Sequence, residues 1–427
     1  MYPFTRQLIE YNNNNFNEKL GFLILDVKGN YYKKVLDFAI QCNRLKDLVV
    51  ISINGKYKYN PLDKPNLKSA VLANRLKTIL LLFSPNNSES YWLDKVEQIL
   101  ECCINFCRLY NDGYVTFEEL HKLVSKYSYF IEKIRVTKNY FTSGRLSQKD
   151  CYLLLNSIEF LENDYFSLDD RTHNILKSEI TRITNFFVAD YDINKTFCPR
   201  REEVNFHGFD EVIKNGKIVV LNMNIAEYKN LAKIIAAYLK LDFQTDVLKQ
   251  LSSTKFPCRS MAFISDEYQE YVTSSDADFF SQSREAKCIN IVSTQSYTSL
   301  LNTLNNQNAT KVIIQNLVNK LWFRTDDIFT IEDIQKQIGK EEKKHISHTF
   351  SENAKESKYS IFSKEFFSTN SNLSESINSY KQKDFVYDYN YFTQNLPTFS
   401  CISFLSDGDK IMKPMPLNMI PYFIEKK

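Results

Sequence analysis

Short apolar runs that end in polar residues mark the beginning of the chain, and they predict buried parallel strands. The sequence GFLILDVKG at 21–29 is one such run, and it reaches Asp26 after four large apolar residues. A helical stretch at 31–42 and a second apolar run at 47–53 follow. Parallel strands are buried on both faces and are joined by helices, so this order predicts a β–α–β unit. A short predicted helix at 2–10 precedes it.

Between about 67 and 190 the apolar residues recur at helical spacing instead. Two apolar stripes have this spacing: Leu72, Leu76, Ile79, Leu80 and Phe83, then Trp92, Val96, Ile99, Leu100, Cys103 and Phe106. Thr116 is a predicted helix N-cap, because Glu119 follows three residues later before an apolar run. A further amphipathic helix is predicted at about 170–187. We therefore predict an inserted all-helical domain.

Strand-like runs return from about residue 214. They lie at 216–223, 260–267, 288–296, 319–327 and 399–408, with a long helical stretch at 227–248. The segment 351–379 is rich in Ser, Asn and Lys, and we predict a surface excursion there. The whole pattern predicts an α/β protein in three parts, with a first core part at 1–66, an inserted all-α domain at 67–200 and a second core part at 201–427.

The strongest candidate chemistry lies in MAFISDEYQEYV, which has the pattern of a Walker B motif. Such a strand presents Asp266 to hold a hydrated Mg²⁺, and Glu267 to polarise the attacking water. A strand that ends in a solvated acidic turn produces the same string, and this alternative stays open. Gln295 ends the next strand, where a polar sensor of phosphate or water lies in RecA-like motors. A turn residue is the alternative for Gln295.

Four further side chains are weaker candidates. Asp26 and Lys28 follow the first strand, and they either pair structurally or approach a phosphate. Arg284 and Arg324 are candidate arginine fingers, with solvated surface arginines as the alternative. Each of these candidates depends on its neighbours in the fold, because a single charged residue specifies no site.

Composition limits the kind of nucleotide site that the chain offers. Glycine accounts for 9 of 427 residues, about 2%, against a usual share of about 7%. No GxxxxGK[ST] and no GxGxxG string occurs, which argues against a self-contained phosphate-loop enzyme. The longest apolar run is far shorter than the roughly 20 residues of a spanning helix, and no signal peptide is visible. We therefore expect no membrane crossing by this chain.

Charge and cysteine content indicate a reduced, near-neutral protein. The 54 basic residues and 51 acidic residues give a net charge of +3, too balanced to indicate nucleic-acid binding by itself. The nine cysteines are scattered, as is typical of reduced thiols in a cytosolic protein. No second ligand pair at zinc spacing accompanies the candidate clusters, so we predict no zinc site there: Cys102, Cys103 and Cys107, and His345 and His348.

Taken in order, these segments resemble the type IV coupling proteins of bacterial conjugation and secretion, of the TraD/TraG type, within the FtsK/HerA-like motors. The matching strings are GFLILDVKGNYY, YNPL, YWLDKVEQIL, GYVTFEEL, GKIVVLNM, FISDEYQEYV, NIVSTQSYTSL, NKLWFRTDD and LPTFSCISFLSDG…PYF. The resemblance covers nearly the whole chain. It implies a RecA-like core sheet of the P-loop NTPase type with an inserted all-α domain.

The resemblance also implies roles and partners. Asp266 and Glu267 match Walker B, Gln295 matches the sensor glutamine, Asp26 and Lys28 match a DxKG motif, and Arg324 falls in an RTxD strand. The family implies ATP and Mg²⁺, the latter held by Asp266 through water. It also implies a homo-hexamer at the cytoplasmic face of the inner membrane, which recruits relaxase–DNA complexes or effector proteins to a type IV channel.

The chain departs from the family at its beginning. The family's Walker A loop and amino-terminal membrane helices should precede Met1, and neither is present in the sequence. The resemblance therefore predicts ATP hydrolysis only if a phosphate-binding segment is supplied. Two alternatives remain. One is a non-catalytic recognition module whose all-α domain docks substrate, and the other is an FtsK/HerA-type motor with a different cargo.

Overall fold

The computed structural model describes most of the chain, namely residues 1–83, 90–252, 258–353, 358–359, 366–367 and 372–420. The chain divides into two compact units, 1–318 and 319–426. The PYF at 421–423, which ends the last of the segments that resemble the coupling proteins, lies outside the described residues. No helix in the described ranges is long and apolar enough to cross a membrane.

The first unit is built on a five-stranded sheet in which all strands run parallel. Its strands in chain order are β1 (Gly21–Leu25), β2 (Leu48–Ile51), β3 (Ile218–Leu221), β4 (Met261–Ser265) and β5 (Cys288–Val292). Their order in the sheet is β2-β3-β1-β4-β5. The three central strands are buried along their whole length, as the apolar runs predicted.

Helices surround and connect these strands. Before β3 they are α1 (Tyr2–Glu10), α2 (Tyr31–Gln41), α3 (Ser69–Leu81), α4 (Ser90–Tyr110), α5 (Phe117–Ser125), α6 (Tyr127–Thr142), α7 (Gln148–Phe160), α8 (Asp170–Val188), α9 (Tyr191–Phe197) and α10 (Phe209–Asn215). After β3 they are α11 (Ile225–Lys249), α12 (Asp276–Ser283), α13 (Tyr297–Leu304) and α14 (Gln307–Asn316). Helix α15 (Ile328–Ile338) belongs to the second unit.

The sequence between β2 and β3 contains the predicted all-helical segment, from α3 to α9. Thr116 caps α5 as predicted, because its hydroxyl accepts a hydrogen bond from the Glu119 backbone N–H at 3.1 Å. Phe117 of α5 stacks on Phe187 of α8, with ring centroids 3.9 Å apart. The α/β fold with inserted helices is confirmed, whereas the domain boundaries at 66 and 200 stay a prediction.

A buried charge cluster joins the helical segment to the sheet side of the first unit. Asp242 of α11 is fully buried, and its carboxylate contacts Lys64 Nζ at 2.6 Å and Arg75 of α3 at 3.0 Å. Tyr59, in the YNPL segment, donates to the same carboxylate at 3.0 Å. Although burial alone raises the pKa of Asp242, the two cations hold it below its ordinary value.

The second unit has its own sheet and its own core. Strands β6 (Lys320–Trp322), β11 (Ser400–Phe404) and β12 (Met415–Asn418) form an antiparallel sheet in the order β12-β11-β6. The apolar runs at 319–327 and 399–408 therefore pair with each other, separately from the parallel sheet. Its core residues are Trp322, Ile331, Ile334, Phe392, Leu396 and Ile402.

A long two-stranded ribbon also belongs to the second unit. Its strands are β7 (Lys340–Asn353) and β10 (Asn372–Phe385), which pair antiparallel over their full length. Between them lie the short paired strands β8 (Lys358–Tyr359) and β9 (Phe366–Phe367). The predicted excursion at 351–379 thus includes strand pairing in its described part, and the remainder of it lies outside the described residues.

Candidate active site at the carboxyl edge of the parallel sheet

The predicted chemistry of the first unit gathers where β1, β4 and β5 end. Leu25 aligns with Ser265, and Ser265 aligns with Val292, so the residues that follow all three strands emerge at the same edge. Asp26 follows β1 directly, and Asp266 follows β4. In open parallel sheets this carboxyl edge is where ligands bind.

Asp26 uses its carboxylate to shape the loop after β1. It accepts backbone hydrogen bonds from Lys28, Asn30 and Tyr31, each at 3.0 Å. The last two N–H groups lie at the start of α2, so Asp26 caps that helix from four and five residues upstream. Its side chain is 1% exposed. The sequence left open whether Asp26 and Lys28 pair with each other or approach a phosphate. In the structure the Asp26 carboxylate binds the Lys28 backbone N–H, and the Lys28 side chain lies near Glu267.

Gly29 lets the loop after β1 pack closely against Asn224, in the loop after β3. Its φ is +66°, and a Cβ placed there would lie 2.9 Å from the backbone nitrogen of Asn224. The loop after β3 is tied to it, because Ile225 N–H donates to the Val27 carbonyl at 3.0 Å. Only glycine combines a positive φ with so close an approach to Asn224 without strain.

Asp266 is fixed at the end of β4 by the strands on either side. Its backbone N–H donates to the Leu25 carbonyl at 3.0 Å. Ser293, just beyond β5, donates its hydroxyl to Asp266 Oδ1, and its N–H donates to the Ser265 carbonyl at 3.0 Å. Sequence reasoning missed Ser293, although its place directly after the predicted strand of the next βα unit was a usable signal.

The start of α1 lies close to this carboxylate. The amino group of Met1 is largely buried, and burial lowers its pKa, whereas the nearby negative charge of Asp266 raises it in part. Tyr2 packs edge-on against Tyr31, with ring centroids 4.7 Å apart. Helix α1 therefore begins beside the edge where the candidate residues meet.

Glu267 is held by three side chains. Gln269 and Gln295 both donate to its Oε2, at 2.7 Å and 3.1 Å, and Lys28 Nζ lies 3.5 Å from its Oε1. Burial raises the pKa of Glu267, but the two amides and the lysine outweigh it and bring the pKa below its ordinary value. The backbone φ of Glu267 is +49°, a strained value of the kind found at functional sites.

The structure thus brings Lys28, Glu267 and Gln295 together. The sequence had linked Glu267 with Gln295 through the order of their strands, but it had not linked either residue with Lys28. Gln269 was not predicted, because nothing in the sequence shows that the turn after β4 folds back over Glu267. Its amide is buried, with 6% of the residue exposed.

The two candidate arginines lie elsewhere in the chain. Arg284 is an exposed residue at the end of α12, and no ion pair or hydrogen bond among the described residues joins its side chain to Glu267. Arg324 is exposed just after β6, in the second unit.

The candidate cysteines are thiols on one helix. Cys103 and Cys107 of α4 are buried, and burial raises the pKa of each thiol. Across the described ranges no group of three or more His, Cys, Asp or Glu side chains could hold a metal ion.

Comparison with known proteins finds a family model that matches part of the chain and solved structures that share the fold of nearly all of it. Residues 260–384 match the family described as the TraM recognition site of TraD and TraG. No curated protein matches the sequence of the chain.

Solved structures of conjugative coupling proteins share the fold. The unbound bacterial protein TrwBdeltaN70 has a TM-score of 0.55 at 11% identity, over 99% of this chain and 95% of that one. The plasmid coupling protein TrwB in complex with ADP and Mg²⁺ has a TM-score of 0.55 at 10% identity, over 94% of this chain and 86% of that one.

A third solved structure, TrwB with the ATP analogue ADPNP, has a TM-score of 0.54 at 11% identity, over 95% of this chain and 88% of that one. The predicted RecA-like core of the NTPase type is therefore confirmed as the fold class. Residues 260–384 thus match the model of the TraD and TraG family, and they lie in a chain that has the fold of the solved conjugative coupling proteins.

Proposed function

We propose that the chain is the motor part of a type IV coupling protein, which recruits relaxase-bound DNA or effector proteins to a conjugation or secretion channel. The observation that carries the proposal is the sheet edge formed by Asp26, Asp266 and Glu267, in a chain whose residues 260–384 match the TraD and TraG family. The TrwB complexes with ADPNP and with ADP and Mg²⁺ support ATP as the fuel.

The residues at the edge fit a Mg²⁺ ion that arrives with a nucleotide. The Asp266 carboxylate and the Ser293 hydroxyl offer the hard oxygen atoms that Mg²⁺ prefers. Mg²⁺ usually keeps several waters and binds through one or two carboxylates and the substrate phosphates, without a dedicated protein cage. Asp266 would hold it through water, and Mg²⁺ would supply neutralisation of the phosphate charge.

Glu267 is proposed as the residue that orients and polarises the attacking water. Its lowered pKa keeps it ionised at neutral pH, as a hydrogen-bond acceptor for water must be. Gln295 donates a hydrogen bond to Glu267, and this contact supports a role for the amide in coupling the state of the phosphate to Glu267. Lys28 balances the negative charge of the carboxylate.

The phosphates themselves need backbone N–H groups and a lysine, which a Walker A loop before α1 supplies in P-loop NTPases. We propose hydrolysis only with such a segment supplied. The Met1 amino group is near enough to Asp266 for their charges to interact, and a segment joined there would reach the same edge.

The test is ATP turnover by the chain extended before Met1 with a Walker A segment. Glu267→Gln should reduce turnover by at least about 100-fold, because general-base catalysis contributes that much, while nucleotide binding is retained. Glu270→Gln is the matched control, since the Glu270 carboxylate pairs with Lys233 at 2.5 Å. Turnover that survives Glu267→Gln would remove Glu267 from this role.

The assembled motor is proposed as a homo-hexamer at the cytoplasmic face of the inner membrane. Arg324 would then act as an arginine finger toward a nucleotide in a neighbouring subunit, which its exposure permits. Arg324→Lys should lower turnover at saturating protein concentration without changing nucleotide binding, because a lysine lacks the planar fork. An unchanged rate would exclude the finger.

A second candidate function is a non-catalytic recognition module. The observation that favours it is the Glu267 carboxylate, which already bonds to Gln269 and Gln295 and faces Lys28. DNA or effector transfer in cells separates the two functions, because a motor loses transfer with Glu267→Gln and a recognition module keeps it.

A further inference from the structure

A polar cleft lies between α5 and α8, in the helical segment and outside the candidate active site. Its volume is about 540 Å³, and its lining includes His121 of α5 and Lys177 and Arg182 of α8. Helices α5 and α8 pack against each other, and the hydrogen bond between His121 Nδ1 and Thr184 Oγ1, at 3.0 Å, joins them. The cleft is therefore a built feature of the helix pair.

The lining follows one face of α8. Residues 177, 178, 181, 182, 185 and 186 line the cleft, and this i, i+1, i+4, i+5 pattern is a polar stripe opposite the buried residues Leu176, Ile180 and Ile183. The stripe extends about 14 Å along the helix, at a rise of about 1.5 Å per residue.

The charged side chains that line the cleft are cations. Lys177 and Arg182 line it, and no carboxylate side chain is among its lining residues. Burial, then the charges of Lys126 and Lys177, lower the pKa of His121. Glu179 pairs with Arg182 at 2.9 Å along the same helix, which neutralises part of this charge, while Lys177 bonds only to the Ser125 carbonyl among its described contacts, at 3.2 Å.

Hydroxyl and amide groups stand beside the cations. Ser178 and Asn185 are exposed residues of the lining, and Phe186 is a half-buried one. Cations with neutral donors suit the several oxygens of a phosphate group, and an adjacent aromatic ring suits a stacked base.

We propose that this cleft binds the phosphate group of a nucleotide unit, with Lys177 and Arg182 on the phosphate and Phe186 against the base. The nucleotide belongs to a single-stranded nucleic acid or is free in solution, since both present the same chemistry. The proposal concerns the cargo side of the proposed coupling function and rests on that function only for the origin of the strand. It is independent of hydrolysis at Asp266 and Glu267.

The test is binding of the full chain to a short fluorescent oligo-dT, to ATP without Mg²⁺ and to inorganic phosphate. All measurements are made without Mg²⁺, so that the carboxylates of Asp266 and Glu267 repel phosphate from the sheet edge. Lys177→Gln combined with Arg182→Gln should weaken oligo-dT or ATP binding by about 10- to 100-fold, which corresponds to about 1.4–2.8 kcal/mol for the two partly exposed cations together. The salt dependence of oligo-dT binding should fall by about two charges.

The matched control removes two positive charges from the same helical segment outside the cleft. Arg171→Gln combined with Lys149→Gln does so at two exposed positions of α8 and α7, and it should change affinity by less than about threefold through long-range screening alone. Ser178→Asp adds a carboxylate to the cleft at an exposed position of α8. It should weaken binding as the double cleft variant does.

Phe186→Leu distinguishes the contribution of the base to binding from that of the phosphate. It should weaken oligo-dT and ATP by about fivefold or more through lost stacking, and leave inorganic phosphate unchanged. Binding of oligo-dT without ATP identifies a strand as the source, and the reverse identifies a free nucleotide.

Three outcomes overturn the proposal. They are equal losses in the cleft and control variants, no binding of any phosphate probe, and tight binding of an acidic peptide in place of the nucleotides. None of these outcomes changes the expected result of the ATP turnover test with Glu267→Gln. The proposal of a nucleotide-binding cleft and the proposal of a motor function can therefore fail separately.

Discussion

At the scale of single residues, the loop after β1 combines a buried carboxylate with a glycine that accepts no side chain. Asp26 fixes the loop through backbone hydrogen bonds, and Gly29 brings it against Asn224. The position of Lys28, between these two residues, follows from both constraints. The approach of Lys28 to Glu267 is therefore a consequence of backbone geometry.

Gly29→Ala tests that geometry. Gly29 and Gly144 have nearly equal positive φ values, +66° and +65°, but a Cβ at Gly144 would meet nothing within 4 Å. Both substitutions carry the left-handed backbone strain of about 1 kcal/mol. Gly29→Ala also forces Asn224 to move, so we expect it to lower the free energy of unfolding by at least about 1 kcal/mol more. If urea unfolding shows that both substitutions lower the free energy of unfolding equally, Asn224 moves away from the added Cβ at little cost.

The charge of Glu267 should make a pH-dependent contribution to stability. Its pKa in the folded chain is below the ordinary value of 4.5, so the unfolded chain binds the proton more readily. The contribution is complete above pH 4.5 and is lost as the pH falls through the folded pKa. The stability difference between the wild type and Glu267→Gln should thus be larger at pH 7 than at pH 3.5, in paired urea titrations. A difference that grows toward acid pH would contradict the assigned direction.

Only some residues of the candidate active site could be predicted from the sequence. Asp266 and Glu267 could be predicted, because an acidic pair directly after a buried apolar run lies at a strand end whatever the rest of the fold does. Gln269 and Ser293 could not be assigned a partner. Their contacts depend on how the turn after β4 folds back and on the pairing of β4 with β5.

At the scale of elements, α11 connects to the turn that follows Glu267 through a buried ion pair. Lys240 of α11 and Asp276 of α12 are both fully buried, with Nζ and Oδ2 2.5 Å apart. Lys240 also donates to the Tyr271 carbonyl at 2.7 Å and to Thr273 Oγ1 at 3.0 Å, and Tyr268 donates to Asp276 at 2.5 Å. The turn from 268 to 276 is thereby fixed to the long helix.

Removal of one partner should be costly. Lys240→Met leaves a buried, uncompensated carboxylate, so we expect the free energy of unfolding to fall by about 3–5 kcal/mol. Lys233→Met is the matched control on the same helix. The Lys233 pair with Glu270 is about one third exposed, and such pairs contribute about 0–1 kcal/mol.

The double variant Lys240→Met with Asp276→Leu completes the cycle. Because it removes both charges, its loss should be smaller than the sum of the two single losses by at least about 1 kcal/mol. Strictly additive losses, measured by chemical unfolding, would mean that the two residues act independently and would contradict the coupling.

Helices and parallel strands could be predicted closely, since α8 was expected at 170–187 and lies at Asp170–Val188. Pairing between distant strands could not, because β6 and β11 are separated by about 80 residues whose sequence gives no register. The ribbon of β7 and β10 was missed for a different reason. Its strands are polar, so they lack the apolar alternation by which half-buried strands are recognised.

At the scale of the whole molecule, the two units have separate cores. The cluster around the parallel sheet includes Ile9, Phe22, Val35, Val220 and Ile264, and none of its members lies beyond residue 318. The cluster of the second unit lies between Trp322 and Ile402. Each sheet is also complete within its own unit.

The parallel sheet should therefore fold without the second unit. A chain that ends at Val318 keeps all five strands, the buried Asp242 cluster and the Lys240–Asp276 pair. We expect it to unfold cooperatively in urea, with the far-ultraviolet spectrum of a helical α/β protein and the same protection of amide hydrogens in β1, β3 and β4 as in the full chain.

A chain that ends at Arg259 is the control for this truncation. It lacks β4 and β5, so β1 loses one neighbour along its whole length and the candidate active site is removed. We expect it to aggregate or to unfold without cooperativity, because the buried strand edge and the apolar face of the sheet are then open to solvent. If the chain ending at Val318 behaves like this control, the parallel sheet depends on residues 319–426 and the separation of the two cores is not a separation in folding.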